Sequence, residues 1–451
     1  MPEFESLYSA AEMRAAEERY AGSVEELMER AGTAAARVGL EQYPRAQRWT
    51  VVCGGGANGG DGRIAARELE RAGKDVGVVD AKAGESELGD PDVIVDALFG
   101  TGFSGEPRPD AAALIERINA SPARVLAVDL PSGVDSSTGE VAGAAVRADT
   151  TVTFHARKVG LVVAPGRFHA GTVHVADIGL DELDTEHRLV GAGILRSVPR
   201  RREGDNKYTA GHVLVVGGSP GLTGAPSLTA MAALRADAGY VTLAAPESTL
   251  PVFEQRLLEV VKRPLPEDLS ELAAKASALA IGPGLGRSDE ARRLVRRSLA
   301  EIPLPAVVDA DALFELEPGD WPAARVLTPH EGELARLLGR ESKDVAAHRI
   351  ASVREAASRF RCVVLLKGAD TLVAAPGRGL LVSSLGLPSL ATAGTGDVLT
   401  GIIAAFLAKG MEPQLAAVAA AAAQQRASVE APQRAGLVAS DLIDALPRAL
   451  R

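Results

Sequence analysis

Residues 50–62 read TVVCGGGANGGDG, an uninterrupted apolar run that passes directly into a glycine-rich loop. The same order, a short apolar run followed by a loop and a helical stretch, recurs along the chain. Runs without polar alternation are typical of strands covered on both faces, as in the parallel sheets of α/β proteins. The pattern therefore predicts an α/β fold whose active-site residues lie in the loops that follow the strands.

The predicted elements form two sets separated by a polar stretch. The first set has amphipathic helices at 9–21 and 23–43, then strands at 50–53, 76–79, 93–97, 125–129, 151–154 and 171–178. The second set has strands at 212–216, 241–245, 279–281, 306–309, 326–328 and 363–366, with an Ala-rich packing helix at 414–430. Residues 196–206 have the composition of a linker. We therefore place a domain boundary near residues 195–205.

The composition narrows the classes of function. The chain has 451 residues, more than one core usually supports, and a net charge of -10. Without a basic field we expect no nucleic-acid partner. The most uniformly apolar run, 415–423, is too short to span a bilayer, and the acidic N-terminus lacks the apolar core of a signal peptide, so we expect no membrane partner. Cys53 and Cys362 lie in apolar runs, which predicts that both are buried free thiols and that the protein is cytoplasmic. Separately, we expect the protein to be a homo-oligomer.

Three loops of the first half carry polar side chains after predicted strands. The loop at 54–62 satisfies GxGxxG, and Asp80 lies near the position of a ribose-binding acid, as in nicotinamide dehydrogenases. Against that class, Asp61 places a carboxylate where a pyrophosphate would need the helix N-terminus. The loops at 96–102 and 129–135 add further Asp and Ser oxygens. Such hard oxygens suit a simple cation or the hydroxyl groups of a ligand.

In the second half, residues 394–397 read GTGD and open into an apolar helical run at 398–407. Glycines at a helix start let N–H groups converge on an anion, and the helix dipole adds positive charge there. Asp397 is therefore either an N-terminal helix residue, worth about 0.3–1 kcal/mol, or the acceptor of a substrate proton. Lys367 follows another predicted strand and would meet a phosphate as a point charge. The chain contains neither a P-loop GK[ST] nor an HExxH motif, so a P-loop NTPase and a zinc enzyme are unsupported.

Together these motifs resemble the bifunctional NAD(P)H-hydrate repair family, in which an epimerase domain is fused to an ADP-dependent dehydratase of the ribokinase-like superfamily. The first half matches through LMERAG, GGGANGGDG, DALFGTG and VDLPSGVD at 27–32, 54–62, 96–102 and 128–135. The second half matches through GHVLVVGGSPGLTGAPSL, IGPGLG, VVDADAL, TPHEGE, LLKGADTLV and ATAGTGDVLTGI at 211–228, 281–286, 307–313, 328–333, 365–373 and 391–402. The resemblance implies a Rossmann-like three-layer α/β sandwich with epimerase activity at 1–200 and a ribokinase-like α/β dehydratase domain at 205–451.

The resemblance also implies the residues of the epimerase site. It gives the acid/base role to Asp129 and the binding of a potassium ion to Asn58, Asp96 and Ser132. The hydrated nucleotide would be bound by Asn58, Gly59, Gly60, Asp61, Gly100, Thr101, Gly102, Phe103, Ser104, Gly105 and Glu106.

In the dehydratase domain the resemblance places Asp397 at the reacting hydroxyl. The hydrate would contact Ala225, Gly286 and His330, and the adenine nucleotide would contact Lys367, Gly368, Ala369, Asp370, Thr371 and Gly396. In the expected reaction ADP, with magnesium, phosphorylates the hydroxyl of the S hydrate, after which phosphate leaves and NAD(P)H and AMP are formed. The expected partners are therefore small-molecule nucleotides.

Two positions depart from the family pattern, and two other functions stay open at this point. Ala57 replaces the first residue of the usual Asn-Asn pair, and Asp237 stands where glycine is common in the turn before Tyr240. The GTGD motif alone also fits a ribokinase-like small-molecule kinase with an N-terminal nucleotide-binding regulatory module. A third, non-enzymatic interpretation gives the N-terminal half only a binding role.

Overall fold

In the computed structural model the chain forms two compact units. The described residues are 3–81, 87–384, 386–433 and 435–451. The N-terminal unit is Ser6–His187, and the C-terminal unit is Arg188–Arg451 with the residues up to Glu5. This division comes earlier in the chain than the predicted boundary near 195–205. The reason is that Val190, Ile194, Leu195 and Val198 are at most 4% exposed and join the core of the C-terminal unit.

After β1 (Phe4–Leu7), the described residues of the N-terminal unit form a parallel sheet of six strands. In spatial order these are β3 (Asp75–Asp80), β2 (Arg48–Cys53), β4 (Val93–Ala97), β5 (Arg124–Val128), β6 (Thr150–Phe154) and β7 (Thr172–Ala176). The helices are α1 (Ala10–Glu18), α2 (Val24–Gln42), α3 (Ala57–Arg71) and α4 (Pro109–Ala120). Strand β3 lies on one side of β2, and β4 lies on the other side of β2. The direction of winding thus reverses between β2 and β4, where open α/β sheets bind ligands.

Helices cover both faces of this sheet. Val51 of β2 packs in one apolar cluster with Ala35 of α2 and Leu69 of α3. The next residue, Val52, points to the other face and packs in a second cluster with Ile115 of α4. Successive strand residues therefore serve opposite layers, as the pleat requires. The predicted three-layer α/β sandwich is confirmed.

The second sheet contains eleven strands within the described ranges. In spatial order they are β1, β8 (His187–Val190), β17 (Leu380–Ser383), β16 (Thr371–Ala374), β15 (Val363–Leu366), β14 (Arg325–Leu327), β13 (Ala306–Val308), β12 (Ala278–Ile281), β9 (His212–Val216), β10 (Tyr240–Ala245) and β11 (Val261–Pro264). Strands β9 to β15 are joined by parallel pairings, whereas β16 and β17 form an antiparallel extension that the sequence pattern did not predict. The winding reverses again, here between β9 and β12.

Helices of the C-terminal unit pack closely around this sheet. They are α5 (Gly224–Arg235), α6 (Leu250–Arg256), α7 (Ser270–Ala273), α8 (Asp289–Glu301), α9 (Glu331–Leu338), α10 (Ser342–Ala347), α11 (Arg349–Phe360), α12 (Thr395–Ala408), α13 (Pro413–Glu430) and α14 (Ala439–Ala449). Ala419–Ala423 of α13 are at most 1% exposed, which confirms the predicted packing role. A Cβ at Gly401 of α12 would lie 2.2 Å from the Thr229 carbonyl oxygen, so only glycine permits this approach of α12 to α5. The α5 helix thereby fixes the position of the α12 N-terminus.

Two predictions from composition concern cysteines and membranes. Cys53 and Cys362 are free and buried, as predicted. Within the part of the chain that the structure describes, no helix has both the length and the apolarity needed to cross a membrane.

The turn between α5 and β10 explains one departure from the family pattern. Asp237 has a φ of 72°, the left-handed region in which glycine is favoured. Its carboxylate accepts a hydrogen bond from Lys409 Nζ at 2.5 Å and forms an ion pair with Arg201 Nε at 2.8 Å. The Lys409 side chain is only 5% exposed. Ion pairing to a buried ammonium therefore compensates for the conformational cost.

We expect Asp237→Ala to destabilise the C-terminal unit by about 1–2 kcal/mol, because a nearly buried ammonium loses its carboxylate. Asp237→Gly loses the same ion pair but relieves the left-handed strain, so it is expected to be less destabilised than Asp237→Ala. Differential scanning calorimetry of the full chain measures the transition temperatures. Equal transition temperatures for the Ala and Gly variants would contradict the strain argument.

Candidate functional site

The loops at the carboxyl ends of β2, β4 and β5 surround a cavity of about 540 Å³ in the N-terminal unit. Its lining contains several of the predicted site residues: Asn58, Asp61, Gly100, Thr101, Gly102, Phe103 and Asp129. The cavity lies at the winding reversal between β2 and β4, where the topology predicted a ligand site. The geometry thus brings together the three loops that the sequence singled out.

Asp129 follows β5 and is held as a carboxylate. It has a φ of 68°, which Asp tolerates better than most residues. Its Oδ2 accepts from the Thr101 N–H at 2.7 Å and from the Thr101 hydroxyl at 2.5 Å, and its Oδ1 lies 2.9 Å from Lys158 Nζ. Burial alone would raise the pKa of Asp129, but Lys158 and Thr101 bring it below its ordinary value. Asp129 is therefore a preformed base at the cavity wall.

Lys158 is a site residue that the sequence analysis did not identify. It is 0% exposed, and its Nζ also donates to the Thr153 hydroxyl at 2.9 Å and to the Phe154 carbonyl at 2.8 Å. Since Lys158 stands four residues after β6, the rule that sites lie beyond strand carboxyl ends would have found it.

Two of the three predicted potassium ligands, Asp96 and Ser132, are hydrogen-bonded to each other. The Ser132 hydroxyl donates to Asp96 Oδ1 at 2.7 Å, and the Ser132 N–H donates to Asp96 Oδ2 at 2.8 Å. Burial raises the pKa of Asp96 to about 6, although these donors oppose the shift. Both polar side-chain atoms of Asn58 are buried without a partner in the described structure. A Cβ on Gly100 would lie about 3 Å from both the Asn58 amide and the Asp129 carboxylate, which places Asn58 and Asp129 at the same glycine.

These residues fit a bound monovalent cation. Orphaned buried polar atoms, as on Asn58, are normally satisfied by an ion, water or ligand. A cation beside Asp96 would also stabilise the ionised form of that buried carboxyl.

The remaining predicted residues of this unit either pack closely within the protein or lie outside the cavity. A Cβ at Gly59 would lie 1.9 Å from the Gly54 carbonyl oxygen, and one at Gly60 would lie 2.4 Å from Met28 Sδ, so both glycines allow close packing of α3. Of the described residues, Ser104, Gly105 and Glu106 lie outside the cavity lining and are exposed. Their predicted contact with the nucleotide stays a prediction.

In the C-terminal unit, Asp397 is the third residue of α12. Aspartate at this position commonly caps a helix, as Asp441 does at the third residue of α14 by accepting from the Val438 N–H at 2.9 Å. In contrast, no hydrogen bond to the Asp397 carboxylate is found among the described residues. Burial, together with the nearby Asp309, raises the pKa of Asp397 to about 7, while Lys367 lowers it. Because the Asp397 carboxylate has no such hydrogen bond, its geometry favours interaction with a ligand over helix capping.

An acid–lysine cluster lies beside the α12 N-terminus. Lys367 Nζ is 2.8 Å from Asp309 Oδ1 and 3.8 Å from Glu333 Oε2. The Thr400 hydroxyl donates to Asp309 Oδ2 at 2.7 Å. A Cβ on Gly396 would lie 3.4 Å from Lys367 Nζ, so a side chain there would crowd the ammonium. Burial lowers the pKa of Lys367, but Asp309 and Glu333 outweigh it and raise the pKa overall. Lys367 is thus a fixed cation beside free helix N–H groups.

The predicted hydrate contacts of this unit lie on separate loops. Gly286 follows β12 with a φ of 79°, and its N–H donates to Asp311 Oδ2 at 3.0 Å. Ala225 is the second residue of α5 and is partly exposed. His330 is the residue before α9, and its ring is exposed. Its Nδ1 accepts from the Gly332 N–H at 3.0 Å, and its Nε2 lies 3.6 Å from Glu333 Oε2.

The predicted nucleotide-binding segment Lys367–Thr371 is split between surface and interior. Gly368 and Ala369 are exposed, whereas Asp370 is 0% exposed and Thr371 begins β16. The buried Arg349 holds Asp370 in place. Its Nη2 donates to the Asp370 carbonyl oxygen at 2.9 Å and lies 3.4 Å from Asp370 Oδ1. Asp370 and Arg349 therefore shape the loop, and Gly368 and Ala369 are its accessible part.

The described residues show no cluster of three or more His, Cys, Asp or Glu side chains arranged to hold a metal ion. In phosphoryl-transfer sites, Mg²⁺ commonly takes much of its coordination from phosphate oxygens. Asp309 and Glu333 are the carboxylates nearest to the lysine that would meet those phosphates.

Comparisons with known proteins cover both units. Residues 213–448 match the family model described as NAD(P)H-hydrate dehydratase, and residues 24–88 and 79–160 match that of the YjeF-related protein N-terminus. The bifunctional NAD(P)H-hydrate repair enzyme Nnr of Moorella thermoacetica is 39% identical, over 94% of this chain and 92% of its own length. The enzyme of that name from Escherichia coli is 35% identical, over 94% of this chain and 89% of its own.

Solved structures resemble the C-terminal unit. The ADP/ATP-dependent NAD(P)H-hydrate dehydratase of Bacillus subtilis, co-crystallised with ATP and Mg²⁺, has a TM-score of 0.53 and 28% identity. The alignment covers 57% of this chain and 96% of that one. A Streptococcus mutans protein with a TM-score of 0.53 and 24% identity, covering 58% of this chain and 98% of its own, shares the fold.

Proposed function

The chain belongs to the family of bifunctional NAD(P)H-hydrate repair enzymes, and from that premise we propose how its residues divide the two reactions. It is an enzyme of metabolite repair, with both an epimerase and a dehydratase activity toward hydrated nicotinamide nucleotides. The observation that carries the division is that each unit has its own aspartate beside a lysine, Asp129 with Lys158 and Asp397 with Lys367. Asp129 serves the N-terminal unit and Asp397 the C-terminal unit.

In the N-terminal unit, Asp129 acts as acid/base at the hydrated ring carbon. Its position on the cavity wall and its ion pair with Lys158 support this role. Potassium binds beside it through Asn58, Asp96 and Ser132, where the unpartnered Asn58 amide and the buried Asp96 carboxylate support the site. The ion would supply fixed positive charge and would orient the loop at Gly100.

In the C-terminal unit, the hydroxyl oxygen of the S hydrate attacks the terminal phosphoryl group of ADP, and Asp397 accepts the proton of that hydroxyl. The bond from that phosphorus to the bridging oxygen breaks, and AMP leaves. The phosphate then departs from the ring carbon with loss of the neighbouring ring proton, which regenerates NAD(P)H. Lys367 and the free N–H groups of α12 are placed to stabilise the charge on the transferred phosphoryl group.

The proposed function is tested with purified chain, an R and S mixture of NADH hydrate, ADP, Mg²⁺ and K⁺. We expect recovery of the near-ultraviolet absorbance of the dihydronicotinamide ring, with consumption of both epimers and formation of AMP and phosphate. Omission of ADP is the control, and it should abolish recovery while the epimers still interconvert. A phosphorylated hydrate that accumulates without elimination would instead favour the ribokinase-like kinase alternative.

We also propose that this activity is cytoplasmic and that the chain works as a homo-oligomer on small-molecule nucleotides. The two buried, free cysteines support a reducing compartment. Light scattering during size-exclusion chromatography measures the oligomeric state, and a monomer at micromolar concentration would contradict that part.

A further inference from the structure

Three carboxyl groups line the N-terminal cavity, those of Glu17, Asp61 and Asp129, and the surroundings of the two aspartates differ. Asp129 interacts with the Lys158 ammonium and with two donors of Thr101. Asp61 lines the same cavity and is only 9% exposed, yet no hydrogen bond or ion pair to its carboxyl is found in the described part of the chain. A buried carboxyl without such partners is more stable when it keeps its proton. Of the two aspartates, Asp129 is therefore a carboxylate and Asp61 a carboxylic acid.

Close packing fixes the position of Asp61. It is the fifth residue of α3, beyond the positions at which a carboxylate caps free N–H groups. The neighbouring Gly62 would place a Cβ 2.5 Å from the Ala97 Cβ, and Gly32 of α2 would place one 2.6 Å from the Asp61 carbonyl oxygen. The α3 helix is thus held between α2 and β4, and Asp61 extends from a rigid support.

We propose that Asp61 is a second catalytic residue of the epimerase, the acid that complements the base Asp129. This inference rests on the function proposed above for the N-terminal unit. The Asp61 carboxyl gives its proton to the hydroxyl oxygen at the hydrated ring carbon. The C–O bond breaks, water leaves, and the lone pair of the ring nitrogen forms a C=N bond.

A water molecule then adds to the opposite face of the ring. The new C–O bond forms, the electron pair of the C=N bond returns to nitrogen, and the proton of the water passes to Asp129. The proton on Asp129 then passes to solvent water and Asp61 takes one up, which restores the starting enzyme. The reverse reaction begins with protonated Asp129 and ionised Asp61, so each carboxyl serves one face. One water leaves and one is added, and no oxidant or reductant is required.

The charged groups that face Asp61 support this division. Burial, Asp129 on the loop after β5 and Glu17 on α1 raise the pKa of Asp61 to about 8, and Lys158 after β6 opposes them. The pKa of Asp129 lies below its ordinary value because Lys158 and Thr101 outweigh its burial. Two carboxyls whose pKa values are driven apart are a recurring arrangement of paired acid and base.

Asp61→Asn in the full chain is expected to lower the rate of epimer interconversion by about 10²-fold or more, because the amide has the same shape but gives up no proton. Chromatographic separation of the R and S hydrates measures this rate. Dehydration of the S hydrate by the same preparation is expected to be unchanged. Glu70→Gln removes an exposed carboxyl from the same helix and is expected to keep the wild-type rate.

Isotope exchange tests the chemical step separately. Interconversion by the wild-type chain in heavy-oxygen water is expected to label the hydroxyl of the product epimer. Interconversion without label would overturn the exchange step, and a wild-type rate in Asp61→Asn would overturn the role of Asp61. If the wild-type chain does not interconvert the epimers, the proposed function of this unit fails as well, which distinguishes that outcome from the other two.

The pH dependence of stability tests the protonation state of Asp61 without an activity assay. In the unfolded chain its pKa is near 4, so between that pH and about 8 the folded chain binds more protons. The stability contributed by protonated Asp61 is therefore present at low pH and lost as pH rises toward about 8. Asp61→Asn lacks this loss, so its Tm relative to wild type is expected to increase over that range. A constant Tm difference would overturn the assignment of Asp61 as the acid.

Discussion

Asp397→Asn is expected to lower ADP-dependent dehydration by about 10²–10⁴-fold while the two hydrate epimers continue to interconvert at the wild-type rate. The amide has the size of the carboxyl but accepts no proton from the attacking hydroxyl. The effect is expected to be confined to one reaction because Asp129, the proposed base of the epimerase, lies in a different unit with its own cavity. The coupled absorbance assay measures dehydration, and chromatography of the hydrates measures epimerisation on the same sample.

The pH profile adds a second signature to this prediction. Since burial and Asp309 raise the pKa of Asp397 to about 7, the free enzyme holds a protonated, inactive Asp397 below that pH. The kcat/KM of dehydration should therefore rise with pH through about 7 and level off above it. In Asp397→Asn the residual activity should lack this rise.

Asp441→Asn is the matched control for a helix-capping role. Asp441 occupies the same third position in α14 and accepts a hydrogen bond from the Val438 N–H. Its replacement is expected to cost about 1 kcal/mol or less of stability and to leave dehydration unchanged. If both variants lose only stability, Asp397 is a helix-end residue and not the base. Equal loss of dehydration and epimerisation in Asp397→Asn would contradict the separation of the two sites.

The central strands of both sheets were predictable because each leaves a local trace in the sequence. Residues 50–53 lie within β2, and residues 363–366 coincide with β15, because strands buried on both faces are mostly apolar. The strands β1, β8, β11, β16 and β17 were not predicted. Residues 367–371 have the glycine and aspartate content of a loop, whereas Thr371 already begins β16 and pairs with Ser383.

The ion pairs at the two sites were not predictable in the same way. Lys158 lies 29 residues after its partner Asp129, and Lys367 lies 58 residues after its partner Asp309. Neither partner is marked by periodicity or by a local motif, since the contact arises only when parallel strands of one sheet end at the same edge. The candidate bases were recognisable from their glycine-rich loops, but what fixes their protonation state required the structure.

Asp129→Asn is expected to lower the rate of epimerisation by about 10²–10⁴-fold without affecting dehydration of the S hydrate. With a mixture of R and S hydrates, recovery of NADH should stop when the S epimer is consumed, whereas the wild-type chain should convert both. Asn tolerates the left-handed φ of 68°, so the backbone at this position is retained. Complete conversion of the mixture by Asp129→Asn at the wild-type rate would exclude Asp129 as the base.

Removal of Asp129 also leaves Lys158 buried without its carboxylate, and breaking a buried ion pair in this way commonly costs about 3–5 kcal/mol. Loss of activity in Asp129→Asn could then reflect unfolding of the N-terminal unit. The double variant Asp129→Asn with Lys158→Met separates these causes, because it removes both charges together. We expect calorimetry to show that the double variant regains much of the lost stability, while epimerisation stays at the level of Asp129→Asn. Recovery of epimerisation together with stability would show that Asp129 serves only to neutralise Lys158, since a base cannot be replaced by a methionine at the position of its partner.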